Sequence, residues 1–370
     1  MSVPPVPQTD PRAGYLEQRA EIDAAIARTL AGGSYILGPE VEAFEAEFAG
    51  FLGARHAVGL ASGTDALVLG LRALGIGSGD GVVTVSHTAV ATVAAIELVG
   101  AVPILVDVEP ETFTMDPDDL EVVLRAPPRP VKAVVPVHLY GQLSPMQAIC
   151  KLAAARGAAV LEDACQAHGA SLAGRKAGCW GAAAAFSFYP TKNLGALGDG
   201  GGLVTDDPEL AERARSLRQY GWRQRYISDV AGLNSRLDEL QAAILRVKLG
   251  RLDAHNARRR AIAERYRQGL ADAALILPAE RPGAVHVWHQ YVVRLKERER
   301  VRAALAERGI GTGVHYPQPV HLQPAYAGRL AMGPSQLAAT EALAGEILSL
   351  PIYPQMTDAA IDRVIEALRA

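Results

Sequence analysis

From His56 to Thr205 short apolar runs alternate with helix-patterned stretches, and this alternation limits the fold more than any other feature of the chain. His56–Leu60, Val82–Val85, Pro103–Asp107, Ala133–Val137 and Ala159–Leu161 read as strands, with helices at Thr64–Leu74, Thr92–Val99 and Pro145–Arg156 between them. Runs this poor in polar residues suit strands buried on both faces, and strands joined through helices pair in parallel. The expectation is an α/β fold with a mainly parallel sheet, which holds its ligands beyond the carboxyl ends of the strands. The chain has 370 residues, more than one ordinary domain needs. After Gly202–Thr205 the pattern changes: one long helical stretch runs from Ser235 to about Leu270, and a smaller α+β unit follows. That unit has a strand at His289–Arg294 and helices at Arg298–Arg308 and Thr357–Leu368. The boundary is placed at Gly250, giving a large α/β domain at 1–250 and a small α+β domain at 251–370. At the amino end, the first ten residues read as a loose arm, Leu16–Leu30 as a helix and Gly32–Gly38 as a turn-rich stretch. Pro39 suits the first position of a helix over Pro39–Leu52.

Charge and cysteine content exclude several classes of function. Lys and Arg number 37 against 40 Asp and Glu, a net charge of -3, so no general field draws nucleic acid or an anionic membrane. The basic run Asn256–Arg260 lies in a helical pattern and reads as a solvated face. Cys150, Cys165 and Cys179 are odd in number and form no C-x-x-C pair, which argues against a disulfide framework or a zinc site, and no metal is expected. The most apolar stretch, Ala89–Val106, is broken by Thr92, Glu97 and Pro103, so it makes a poor membrane span. The Pro-rich start has no secretory h-region. A soluble, cytoplasmic protein is expected.

Three segments carry chemistry. In the first, His56–Ala66, a strand leads through a Ser62-Gly63-Thr64 turn into a helix. Free N–H groups and the positive end of the helix dipole make such a turn an anion site, and Gly63 allows close approach to a phosphate. The same turn could be an ordinary helix cap at Thr64. In the second, Ala159–Gly169, acidic residues end a strongly apolar strand, with Glu162 and Asp163 pointing to opposite faces. A buried carboxylate needs a cation or donors, and one held here could keep a pyridine nitrogen protonated. Alternatively Asp163 caps a following helix. In the third, Ala185–Gly202, a strand bearing Ser187 between two aromatics runs into a Gly-rich loop with Lys192, the only lysine between Lys176 and Lys248. A buried amine has a lowered pKa and suits Schiff-base chemistry, whereas an exposed loop lysine would be inert. The glycines favour burial, since they let backbone crowd around something flat or charged. A phosphate cradle, a carboxylate and a Schiff-base lysine together point to pyridoxal phosphate (PLP).

Ala61-Ser-Gly-Thr-Asp-Ala-Leu67, Glu162-Asp-Ala-Cys-Gln-Ala-His-Gly-Ala170 and Phe186-Ser-Phe-Tyr-Pro-Thr-Lys-Asn-Leu-Gly195 resemble the hallmarks of the DegT/StrS family of sugar aminotransferases. Asn234–Ile244 and His315–His321 are similar to later landmarks, and the resemblance covers roughly residues 15 to 368. It implies PLP fold type I, with a mainly parallel sheet of the seven-stranded type and a smaller carboxyl-terminal domain. It implies that Lys192 forms the Schiff base and shuttles a proton, that Asp163 pairs with the ring nitrogen and that Gln166 packs near the ring. Ser62, Gly63, Thr64 and Ser187 would hold the phosphate, with Asn234 reaching it from the neighbouring subunit of a homodimer with shared active sites. Tyr189, His315 and Tyr316 would contact the sugar or nucleotide. Many members stack an aromatic residue on the ring where this chain has Ala89, so His87 or another group would cover that face.

The motifs Tyr189–Gly195 and Leu217–Trp222 resemble those of enzymes acting at C3 of dTDP-3-keto-6-deoxyhexoses. The expected reaction is ping-pong transamination, with glutamate as donor and a nucleotide-linked keto sugar as acceptor. Alternatives are amination at C4 of a UDP- or GDP-linked sugar and a non-catalytic regulator of the same fold. The lysine at 192 favours the enzyme. A nicotinamide enzyme is disfavoured, because no G-x-G-x-x-G follows the first strand.

Overall fold

The computed structural model of the chain describes residues 4–369. Its central sheet contains β1 (His56–Leu60), β2 (Gly81–Val85), β3 (Val102–Val106), β4 (Val131–Val134), β5 (Ala159–Asp163), β6 (Ala183–Ser187), β7 (Gly201–Thr205) and β8 (Ala331–Met332). Their spatial order is β1-β7-β6-β5-β4-β2-β3-β8. Only β7 runs against its neighbours, β1 and β6; every other pair is parallel. The expected α/β architecture is therefore present, with the two-residue β8 added at one edge.

Alternate residues of the strands feed different apolar clusters. Val82, Ala133, Leu161 and Leu203 pack on one side, and Val83, Val134, Val160 and Val204 on the other. Burial on both faces is why these strands read as unbroken apolar runs rather than alternating ones. From β2 the chain crosses outward to β3, then returns to place β4 on the other side of β2. That reversal opens a crevice at the carboxyl ends of β2 and β4, the place where such sheets take ligands. Since β1 is parallel to β5 and β6, its carboxyl end lies on the same edge.

Four features depart from expectation. The basic run Asn256–Arg260 is not a solvated face throughout, since Asn256 and Arg259 turn inward and are 2% and 4% exposed. The arm is not loose over its described part: Val6 is buried and its backbone bonds Gly309 and Gly311, so an apolar anchor and satisfied main-chain groups hold it down. Residues 1–3 of that arm lie outside the described residues. The long helical pattern is two helices, Glu239–Leu249 and Leu252–Gly269, interrupted at Gly250 and Arg251. Gly is a poor helix former, and the break lets Leu252 turn fully into the core. Pro117–Arg125 forms a helix not anticipated, with Pro117 in its first turn and Asp116 accepting from Asp118 N.

Toward the carboxyl end, strands Tyr291–Arg294 and Ile347–Leu350 pair antiparallel beside helices Arg298–Glu307 and Asp358–Arg369. Ile262, Tyr266, Tyr291, Leu348, Ile361 and Val364 form a separate apolar cluster there, and Val6 joins it. Among the described residues no helix is long and apolar enough to cross a membrane.

Candidate active site

The strand ends meet around Asp163, the last residue of β5, which is 5% exposed. Its Oδ2 accepts from Thr92 Oγ1 at 2.8 Å and its Oδ1 from Cys165 N at 3.2 Å. Thr92 Oγ1 also lies 2.9 Å from Thr88 Oγ1. Turns rather than a helix follow Asp163, so it caps no helix. Glu162 faces the other way and is fully buried. It accepts from Gly178 N, Trp180 N and Gly181 N and lies 2.9 Å from His138 Nε2. Burial works against its charge, but these partners outweigh burial and hold its pKa below the ordinary value. One carboxylate is thus locked into the scaffold, and the other lies at the carboxyl end of β5 with two donors.

Lys192 is half-buried in the loop after β6, its N–H bonded to Tyr189 O at 2.8 Å. Burial lowers the pKa of its amine, while nearby Cys165 and Asp163 pull it back up. The amine and the carboxylate are therefore close enough to feel each other's charge. The loop is shaped by glycines whose neighbours leave no room for a side chain. A Cβ at Gly195 would sit 2.5 Å from Pro190 O, and one at Gly201 only 2.1 Å from Ser62 O.

That last contact joins the lysine loop to the first turn of the helix Gly63–Ala73. Ser62, not Thr64, caps this helix, its hydroxyl accepting from Asp65 N at 3.1 Å. The N–H groups of Gly63 and Thr64 open the helix, where the chain supplies no intrahelical acceptor. A Cβ on Gly63 would come within 2.7 Å of Ser187 Cβ and 2.9 Å of Cys165 Sγ. The ends of β1, β5 and β6 thus converge on one point, with a helix amino terminus and the Ser187 hydroxyl beside it. This donor set fits a phosphate, and Asp163 and Lys192 nearby fit the nitrogen and the aldehyde carbon of a pyridine ring.

The far wall is organised by Tyr140, buried in a left-handed conformation with φ 59 within the turn Leu139–Gly141. Its N–H donates to Gln166 Oε1 at 2.8 Å, and its hydroxyl meets His87 Nε2 at 2.9 Å and the His315 carbonyl. Gln166 in turn donates to Tyr316 Oη at 3.2 Å, and His315 Nδ1 lies 2.8 Å from Ser349 Oγ. Burial lowers the pKa of His87 to about 4, and that of His315 likewise, so both rings are neutral near pH 7. Burial, with a smaller push from Asp163, raises Tyr316 to about 12, leaving its hydroxyl protonated.

The structure brings Ser62, Gly63, Thr64, His87, Asp163, Gln166, Ser187, Lys192, His315 and Tyr316 to one edge of the sheet. Tyr189 follows Ser187 there but is 53% exposed. Asn234 is exposed and pairs only its backbone, with Gln219; its side chain bonds nothing in this chain among the described residues. Thr92 and Tyr140 were not anticipated. A threonine within the apolar run Ala89–Val106 was the available signal for the first. For the second it was a tyrosine before Gly141 at the end of a buried strand. Among the described residues no group of three His, Cys, Asp or Glu could hold a metal ion.

Residues 17–369 match the model of the DegT/DnrJ/EryC1/StrS aminotransferase family. The chain belongs to that family. It is 51% identical over 367 residues to dTDP-3-amino-3,4,6-trideoxy-alpha-D-glucose transaminase of Streptomyces venezuelae, covering 99% of this chain and 96% of that one. Among solved structures it is similar to S. venezuelae DesV in complex with a ketimine intermediate, with a TM-score of 0.95 at 50% identity, covering 99% of this chain and 98% of that one. It is also similar to NtdA from Bacillus subtilis with bound cofactor PMP, with a TM-score of 0.87 at 33% identity, covering 95% and 81%. This family member is an aminotransferase, and its cofactor is pyridoxal phosphate.

Proposed function

We propose that this aminotransferase moves the amino group of L-glutamate onto C3 of a dTDP-linked 3-keto-6-deoxyhexose, acting in the cytoplasm as a homodimer with shared active sites. The observation that carries the reading is the meeting of the Lys192 amine, the Asp163 carboxylate and the Gly63–Ser187 phosphate cradle at one sheet edge. The extent of likeness to a transaminase named for a dTDP-3-amino sugar supports the choice of nucleotide and carbon.

When bound, the cofactor supplies a sink for the electron pair released as a proton leaves the carbon bearing nitrogen. Lys192 takes that proton and returns it one position away; burial lowers its pKa, which favours the unprotonated form a base needs. Asp163, held by Thr92 and the Cys165 N–H, keeps the ring nitrogen protonated. Gly63, Thr64 and Ser187 would fix the phosphate, and Ser62 caps the helix that Gly63 and Thr64 open. Gln166 and Tyr316, bonded to each other, would bound the ring, and His87, held by Tyr140, would cover the face left open at Ala89. Tyr189, His315 and Tyr316 line the approach of the sugar nucleotide. Nitrogen balances over the two halves: glutamate leaves as 2-oxoglutarate, and the keto sugar leaves as the amine.

The homodimer reading is supported by the hairpin Trp222–Ser228, on which Tyr226 and Ile227 stand exposed, and by the exposed Asn234. We place the division between the large and small domains near Gly250, where the helix breaks and beyond which the separate carboxyl-terminal cluster begins. The test of function is incubation with glutamate and a panel of dTDP-, UDP- and GDP-linked 3- and 4-keto sugars, with products identified by mass spectrometry and NMR. Amination of a UDP- or GDP-linked sugar alone, or at C4 alone, would overturn the substrate assignment. For the shared site, inactive Lys192→Ala and Asn234→Ala chains are mixed and allowed to exchange. Recovered activity is expected, since one site of the hybrid keeps both residues, and no recovery would refute it.

A further inference from the structure

Behind the lysine loop lies a small cavity of about 50 Å³. It is bounded by Thr9 and Asp10 of the arm, by Thr191, Lys192 and Asn193 of the loop, and by Lys248 and Arg259 from the two helices on either side of the break. None of the residues lining it is exposed. We propose that this cavity is a binding site for a small monovalent anion of halide size.

The charges around it do not close on themselves. Arg259 is 4% exposed; its Nη1 donates to Trp288 O and Ile352 O, each at 3.0 Å, and its Nε has no partner. Lys248 Nζ donates to Gly195 O at 2.6 Å. Among the described residues neither cation is in an ion pair. The one carboxylate lining the space, Asp10, already accepts from Ala13 N at the start of the first helix. His255, also on the wall, has Nε2 3.2 Å from Glu17 but without a hydrogen bond, so it too leaves a polar atom unsatisfied. Gln18, 2% exposed, leaves its Oε1 unpartnered, and turning the amide would offer its NH₂ instead. Buried charge without a counter-charge is costly, and a water molecule would satisfy hydrogen bonds without supplying one. An anion satisfies both. A space of about 50 Å³ is enough for a small ion.

The site has a stake in catalysis through geometry. Its wall is the loop that carries Lys192, and Lys248 already holds that loop at Gly195. An anion between Lys248 and Arg259 ties the loop to the long helix Leu252–Gly269. Because burial lowers Lys248 to about 8, anion affinity falls as pH rises past that value and the amine loses its proton.

The experiment is anomalous diffraction at the bromine edge from holoenzyme crystals grown in sodium bromide. The expected result is a bromide peak in the cavity, in contact with Lys248 Nζ and Arg259 Nε, that is lost in Lys248→Met crystals. In solution, chloride is expected to raise the urea midpoint of the wild type above that in gluconate at equal ionic strength. This gain should fade above pH 8 and be absent in Lys248→Met and Arg259→Gln. Absence of anomalous density in the wild-type cavity refutes the proposal, whether or not the variants fold. So does a chloride effect that both variants retain. None of these readouts depends on which sugar is aminated.

Discussion

Thr92 offers the sharpest test of how Asp163 is held. Among the described residues its hydroxyl is the only side chain that donates to Asp163 Oδ2, at 2.8 Å, and Oδ1 has only the longer bond from Cys165 N at 3.2 Å. Thr92→Val keeps the volume and removes the donor. It also strips Thr88 Oγ1 of its neighbour. A hydrogen bond to a charged group contributes about 1.5–3 kcal/mol. If that energy serves to aim the carboxylate at the ring nitrogen, kcat/KM falls by about 10–150-fold. The assay is single-turnover reaction with glutamate, followed by the cofactor's visible absorbance, in a cycle with Asp163→Asn. The threonine acts through the charge at 163, so its loss should matter much less in the Asp163→Asn background. An unchanged rate in Thr92→Val, or full additivity in the cycle, would refute the positioning role.

Other outcomes follow from the same geometry. Lys192→Ala should abolish both turnover and the borohydride-reducible absorbance band, and persistence of either would sink the lysine assignment. Asp163→Asn should fold yet lose most activity, since one partner of a buried charge pair is worth about 3–5 kcal/mol when removed alone. Gly63→Ala puts a methyl group 2.7 Å from Ser187 Cβ. Overpacking of this kind costs about 1–3 kcal/mol, which predicts a cofactor dissociation constant raised about 5–150-fold, and equal affinity by titration would contradict it. The lowered pKa of Glu162 makes its contribution to stability complete above the ordinary carboxylate value of about 4.3, and that contribution is lost as pH falls through the lower folded value. Glu162→Gln should therefore flatten the acid limb of the urea midpoint against pH, and an identical limb in both proteins would count against the linkage.

What could be read beforehand follows how local each cause is. The strands were legible because Val82–Val85 or Ala159–Leu161 are apolar on both faces, a property each segment carries by itself. Lys192, Asp163 and Ser187 stood out as polar residues at the ends of such strands. Thr92 did not, because its role depends on meeting Asp163 from 71 positions away. Tyr140 bonds residues 53 positions earlier and 175 positions later, a relation no window of sequence displays. The arm failed for the same reason, since Val6 is anchored by a segment near residue 310. The break at Gly250 was within reach, but Ala- and Arg-rich sequence on both sides hid it.

Gly63, which opens the helix after β1, and Ser187, which ends β6, are brought together by the chain's own strands and helix. The hollow for the phosphate is therefore finished when the strands are, without help from whatever later sits there. An enzyme stripped of its cofactor should keep this hollow as an empty mould and refill without refolding.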